Sequence, residues 1–396
     1  MSKAKGFGFI GFTALFFIAL ILRPPVASMG PLLHEIVSDL GLSGAETGLL
    51  ASAPVLCFGV GAFASPALVR RFGVNQAMLL VLSLLALAAL GRLFFGYPGL
   101  LIGTIAAGLS IAVANVLLPT IVRIEFPHKV PLVTGAYTTL LAFSASFAAS
   151  IAVPSSDFLG GWRLALAIWL IPAVLAALFW ATKARAQEPH VAQAVSSASE
   201  ERAAVLRSPI SWAIVGFFGL QSLGFYALLG WLPTLLIASG QTPSAAGGLL
   251  GLATAVGVPA GLLLSGAIGR FKSLAWWASG ASLVTLLGFS LLLAAFDSPG
   301  LTVIACICLG LGQASTFPMS LSIIGTRAST RAQTTQLSAM AQGWGYLLAA
   351  VGTFAVGWLA TATGSWSVSV GLLIALTAVQ VGVGFYSGRP GVIPPK

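Results

Sequence analysis

Apolar runs of about 20 residues recur at 9–33, 46–69, 74–95, 98–122, 131–153, 162–182, 210–237, 244–268, 274–295, 299–325, 333–360 and 366–387. Each is long enough for a helix to cross the hydrocarbon core of a bilayer, and polar residues concentrate in the gaps between runs. The pattern predicts an all-α membrane protein with twelve transmembrane helices. The 46 glycines and 21 prolines fit that reading, because membrane helices tolerate both when neighbours satisfy the freed backbone groups.

The longest polar stretch, Lys183 to Ser208, mixes both charge signs with Gln, Ser, Pro and Ala and divides the runs six and six. It predicts a six-helix bundle over 1–182, a cytoplasmic linker over 183–208 and a second six-helix bundle over 209–396. An ungapped offset of 200 residues aligns Gly48 with Gly248, Leu49 with Leu249, Leu50 with Leu250 and Ala53 with Ala253. The same offset aligns Gly61 with Gly261, Ser65 with Ser265, Ala67 with Ala267 and Arg70 with Arg270. One register held from helix two into its following loop supports an internal duplication, hence two pseudo-symmetric bundles. Parallel six-helix halves of this kind resemble major facilitator transporters, whose substrate lies near the midplane where the halves meet.

Composition agrees: 58% of residues are hydrophobic and 7% charged, with a mean hydropathy of +1.00, far from the quarter or so charged in soluble domains. The net charge of +10 reflects topology. All but three of the 19 lysines and arginines fall in gaps on one side; the exceptions are Arg92 and Arg163 on the other side and Arg23 within the membrane. The positive-inside rule then puts both termini in the cytoplasm of a multi-pass inner-membrane protein. The basic residues form no continuous face, so no nucleic-acid partner is expected. Lys3 and Lys5 precede an apolar stretch longer than a signal peptide, which is read as a retained first helix. Cys57, Cys306 and Cys308 lie inside apolar runs with no ligand spacing, and are read as small packing residues.

Arg23 stands near the middle of the first run, within Leu22-Arg23-Pro24-Pro25. An arginine at that depth costs from ~2.5 kcal/mol on insertion scales to ~10 kcal/mol or more on an isolated helix, which marks it as a functional candidate. The double proline beside it predicts a bend that exposes backbone. Asn115, Gln221 and Gln313 sit at comparable depth in apolar helices, where each amide either bonds a neighbouring helix or meets a substrate.

Longer stretches carry a resemblance. Leu22-Arg23-Pro24 with Ser28-Met29-Gly30-Pro31, Asn115-Val116-Leu117-Leu118-Pro119, and Gly219-Leu220-Gln221-Ser222 with Phe225-Tyr226 and Trp231-Leu232-Pro233 are similar to the cyanate and nitroimidazole transporter family of the major facilitators. Gly310-Leu311-Gly312-Gln313 with Phe317-Pro318, and Ala341-Gln342-Gly343 with Gly345-Tyr346-Leu347-Leu348, continue it into the last helices. The loop Ala67-Leu68-Val69-Arg70-Arg71-Phe72-Gly73 keeps the basic pair and glycine of the superfamily's loop motif but lacks its acidic residue. The resemblance implies a substrate site in which Gln221 and Gln313 take part.

The expected substrate-binding residues are Arg23, Asn115, Gln221, Phe225, Tyr226, Gln313, Phe317, Tyr137 and Gln342, with aromatics as walls and amides as orienting donors. Trp344 is a further candidate wall, and Trp231 is expected in an interfacial aromatic belt. Every Asp and Glu lies in or near a loop, so transport is not expected to depend on an intramembrane carboxylate. No catalytic pair, metal-ligand spacing or phosphate-cradling loop occurs in the sequence, so neither an enzyme nor a cofactor nor a metal is expected. The expected activity is secondary or facilitative transport, by alternating access, of a small anion or small polar solute of cyanate-like or nitroimidazole-like kind; the partner is expected to be an anionic small molecule. Efflux of toxic or drug-like compounds is the alternative. A monomer in the lipid bilayer is expected.

Overall fold

The computed structural model describes residues 13–185, 194–268, 273–294 and 298–394. Every regular element among them is a helix, apart from a single parallel bridge between Ala328 and Ile393. The chain groups into two compact units, one of Met1–Pro127 with Tyr137–Arg202 and the other of His128–Ala136 with Ala203–Lys396. The predicted linker falls partly on 186–193, outside the described residues; of the rest, 183–185 end the helix Leu170–Arg185 and Ala194–Arg207 is a helix of its own.

In the first unit the opening span is broken into α1 (13–22), α2 (Pro24–Ala27) and α3 (Met29–Leu40). Next comes α4 (Gly44–Gly91), opened by a capping box in which Ser43 Oγ accepts from Glu46 N and Glu46 accepts from Ser43 N. At 48 residues this continuous helix would be about 70 Å long, twice a bilayer core. It is in fact two helices, divided at Gly73 with φ 76° and ψ 167°, a conformation open to glycine at little cost. The break coincides with the predicted loop after Arg70-Arg71. Then follow α5 (Gly96–Glu125), α6 (Val130–Leu159), α7 (Trp162–Ala167) and α8 (Leu170–Arg185). Helix α5 is the central element, buried at every position from Ser110 to Val122, and small residues bring α4 onto it. Cys57 is one of these, with its Cβ where a Gly108 side chain would stand. In lipid there is little hydrophobic gain from helix pairing, so close approach at small residues supplies the attraction instead.

The polar helix Ala194–Arg207 is α9, and the second unit adds α10 (Pro209–Ala238), α11 (Pro243–Ile268), α12 (Ala275–Ala294), α13 (Pro299–Arg327), α14 (Arg331–Thr363) and α15 (Trp366–Gly388). Helices α10 and α14 cross at Gly219 and Gly345, where a Cβ on Gly219 would lie 3.1 Å from the Gly345 Cα. Gly310 lets α13 rest on the backbone carbonyl of Ala253 in α11. The chain end is fastened by Arg327, which donates to the carbonyls of Ser387 (3.1 Å), Gly388 (2.7 Å) and Gly391 (2.7 Å). That clasp holds the C-terminus of α15 against the segment joining α13 and α14.

Ten helices among the described residues are long and apolar enough to cross a membrane. The span Ser52–Gly91 is one of the ten and holds the two helices divided at Gly73. Counting those separately, and adding α11, reaches the twelve apolar segments of the sequence.

Candidate functional site

In the first unit the site is built around the break in the opening span. Pro24 and Pro25 carry no N–H, so the helix cannot continue its ladder through them. Instead the Arg23 carbonyl accepts from both Val26 N (3.1 Å) and Ala27 N (2.9 Å), and the Pro24 carbonyl accepts from Ser28 N (3.0 Å) and Ser28 Oγ (2.7 Å). Arg23 lies ten residues from each end of the apolar span Thr13–Leu33. It is half-buried, with its guanidinium 5.9 Å from the ring centre of Phe58. Asn115 is buried in the middle of α5, and Tyr137 is fully buried in α6.

Arg92 departs from expectation. Counted from the sequence on the side opposite the other basic residues, near the end of the run 74–95, it caps the C-terminal end of α4 and is only 2% exposed. Its Nη1 donates to the Pro25 carbonyl at 2.5 Å. Only the tertiary fold reveals this, because an arginine next to a turn normally reads as solvated.

In the second unit Gln221, buried on α10, donates through Nε2 to Ser222 Oγ at 2.6 Å. One turn on, Gly224 leaves room for Gln313 of α13, whose amide nitrogen stands where a Gly224 side chain would be. Gln313 is 3% exposed, and neither its Nε2 nor its Oε1 has a protein partner. Such a group costs about 1–3 kcal/mol unless something else satisfies it. Aromatic rings run from α13 across to α10: Phe317 to Phe218 (6.2 Å between centres), Phe218 to Tyr346 (5.1 Å), Tyr346 to Tyr226 (6.3 Å) and Tyr226 to Phe225 (5.5 Å). Three of these contacts are edge-to-face, the arrangement favoured by the ring quadrupoles. Phe218 and Tyr346 were not among the residues expected at the site. Both adjoin the α10–α14 glycine crossing, and Tyr346 lies inside a motif that carried the resemblance. Gln342 donates to Ser338 Oγ on its own helix at 2.8 Å.

Two other aromatics fall elsewhere. Trp344, a candidate wall, is 47% exposed. Trp231 packs on Trp366 (5.9 Å) and donates from Nε1 to the Thr353 carbonyl (2.9 Å), so it binds α10 to α14 and α15.

The first unit also holds an open cleft of about 930 Å³, lined by Glu35, Asp39, Leu93, Phe94, Trp162 and Arg163. Arg23, twelve residues before Glu35, is not among the residues that line the cleft. Its carboxylates are engaged. Glu35 accepts from Ser156 Oγ (2.7 Å) and Trp162 N (2.9 Å); Asp39 accepts from Trp162 Nε1 (3.1 Å) and Arg163 Nη1 (2.7 Å). The Trp162 hydrogen bond, then Arg163, hold the Asp39 carboxyl below its usual range. Among the described residues, the first unit's carboxylates are Glu35 and Asp39 on α3, Glu46 in the first turn of α4, Glu125 at the end of α5, Asp157 near the end of α6, and Glu200 and Glu201 on the polar helix α9.

Comparison with known proteins accords with this architecture. The chain is 33% identical to an uncharacterized transporter, YycB, of Bacillus subtilis (strain 168), over 378 residues covering 95% of this chain and 93% of the relative. It is 33% identical to the 2-nitroimidazole transporter of Escherichia coli (strain K12), covering 94% and 93%. It is 28% identical to the cyanate transport protein CynX of the same organism, covering 89% and 90%. Among solved structures it shares its fold with the proton:xylose symporter XylE, at a TM-score of 0.77 and 15% identity, covering 95% of each chain. Residues 9–353 match the family model of the Major Facilitator Superfamily, and the chain is a member of that superfamily, a multi-pass membrane transporter of a small solute and not an enzyme.

Proposed function

We propose that the protein moves a small anion or small polar solute, cyanate-like or nitroimidazole-like, across the cytoplasmic membrane by alternating access between two six-helix halves. Arg23 holds the solute's negative or electron-rich group. The observation that carries this is the position of Arg23: a half-buried guanidinium at the centre of an apolar span, beside a double-proline break. A guanidinium stays charged at any accessible pH and presents a planar donor fork suited to carboxylate, nitro or similar groups. Gln221 and Gln313 orient the solute from the second half, with Asn115 and Gln342 as further polar contacts. Phe225, Tyr226, Phe317 and Tyr137 wall it. The printed names of two relatives, a 2-nitroimidazole transporter and a cyanate transport protein, support this solute class.

Both termini are cytoplasmic in this reading, the transporter works as a monomer, and no intramembrane carboxylate relays protons. Efflux of flat toxic heterocycles is the second reading, favoured by the continuous aromatic run from Phe317 to Phe225. The test is binding of cyanate and of 2-nitroimidazole to purified protein by thermal shift, which scales with RT ln(1 + [L]/Kd), followed by flux in proteoliposomes. Arg23→Lys should lose most binding and Arg23→Ala nearly all. A folded Arg23→Ala protein that binds either probe with near-normal affinity sinks the proposal.

A further inference from the structure

We infer that Arg92 is a positioning residue for the anion site: its hydrogen bond to the Pro25 carbonyl sets the break in the first span and thereby where Arg23 points. The inference rests on the proposed role of Arg23. The backbone groups at the break are otherwise satisfied from within the segment itself. Val26 N and Ala27 N turn back to the Arg23 carbonyl, while Ser28 N and its hydroxyl turn back to Pro24. The Pro25 carbonyl, two residues from Arg23, is gripped by a side chain from outside, 67 positions away.

The grip is built into the surroundings. Arg92 passes over Gly103 of α5, where any Cβ would lie 2.7 Å from the arginine's Cγ and 2.8 Å from the Ala88 carbonyl, so a larger residue there would push the arm aside. Its Nε and Nη2 are buried without a partner, and among the described residues it makes no ion pair. A buried guanidinium left so incompletely bonded is costly, and the single bond it does make is to the broken helix. Its uncancelled charge also keeps the neighbourhood of the break positive, the sign an anion requires.

The test uses full-length protein in detergent, with Arg92→Met, which keeps a long apolar stem and removes every donor, and Arg92→Lys, which restores one charged donor. The ligand-independent readout is amide hydrogen exchange, by mass spectrometry, of peptides spanning 20–32. In Arg92→Met, exchange there should rise roughly tenfold or more, as expected for losing a hydrogen bond to a charged group. Peptides from α5 and α6 should stay near wild type, and Arg92→Lys should recover most of the protection. Cyanate affinity should fall in parallel while Arg23 is intact. Unchanged exchange over 20–32 in Arg92→Met, or an equal rise throughout the first unit, overturns the inference. If Arg92→Met does not fold, Arg92→Leu, which also removes every donor, takes its place under the same criteria. Should the local exchange rise as expected while Arg23→Ala still binds cyanate normally, the role of Arg23 fails and Arg92's part is confined to the shape of the helix.

Discussion

Gln313→Leu separates a substrate contact from helix glue by the sign of its effect on the ligand-free protein. Leucine is close to glutamine in size and fits beside Gly224, so the substitution mainly deletes polarity. If Gln313 bonded a neighbouring helix, its loss would destabilise by about 0.6 kcal/mol and at most about 1.7 kcal/mol, as membrane interhelical hydrogen bonds do. In the structure, however, both amide atoms are buried and without protein partners. Removing such a group relieves a desolvation cost of about 1–3 kcal/mol rather than breaking a bond. Ligand-free Gln313→Leu should therefore be as stable as the parent or more so, and should bind the solute roughly 5- to 150-fold more weakly, the equivalent of about 1–3 kcal/mol. Thermal unfolding in detergent with and without cyanate or 2-nitroimidazole reads both numbers from one preparation. A variant that melts earlier without ligand and keeps its ligand-induced shift would show that the amide serves packing, and would refute the assignment.

Gly310→Ala should destabilise the second unit by about 1–3 kcal/mol, the usual cost of overpacking, because its Cβ would run into the Ala253 carbonyl; Gly371→Ala, with open space around it, is the matched control and should melt at or above the parent temperature. Arg327→Gln loses charged bonds to three carbonyls at the end of α15, so limited proteolysis should cut the C-terminal residues sooner, and equal cutting rates would refute the clasp. The Ser43 hydroxyl, then its backbone N–H, hold the Glu46 carboxyl below its ordinary value. A depressed folded value stabilises above the unfolded value near about 4.3 and is lost as pH falls through the folded one. Glu46→Gln should flatten that acid limb of the unfolding curve without changing stability relative to its own value at lower pH, measured by intrinsic fluorescence between neutral and acid pH.

Much was legible in the chain itself because bilayer solvation acts on local sequence. A run of about 20 apolar residues becomes a spanning helix whatever its neighbours do, since its backbone can satisfy itself only internally. The helix positions, the turn at Gly73 and the isolation of Arg23 beside Pro24-Pro25 follow from that. The capping box at Ser43 is local as well. What lateral packing decides was not legible, because helix faces in a uniformly apolar chain carry almost no periodic signal. Arg92 counted only as a basic residue on the opposite side until α5 and the broken first span closed around it, Phe218 and Tyr346 joined the aromatic run only through the Gly219–Gly345 crossing, and Gln313 was left without partners only where Gly224 admitted it. Those are contacts between residues tens to more than a hundred positions apart, and the shape complementarity that makes them belongs to the assembled helices rather than to any stretch of sequence.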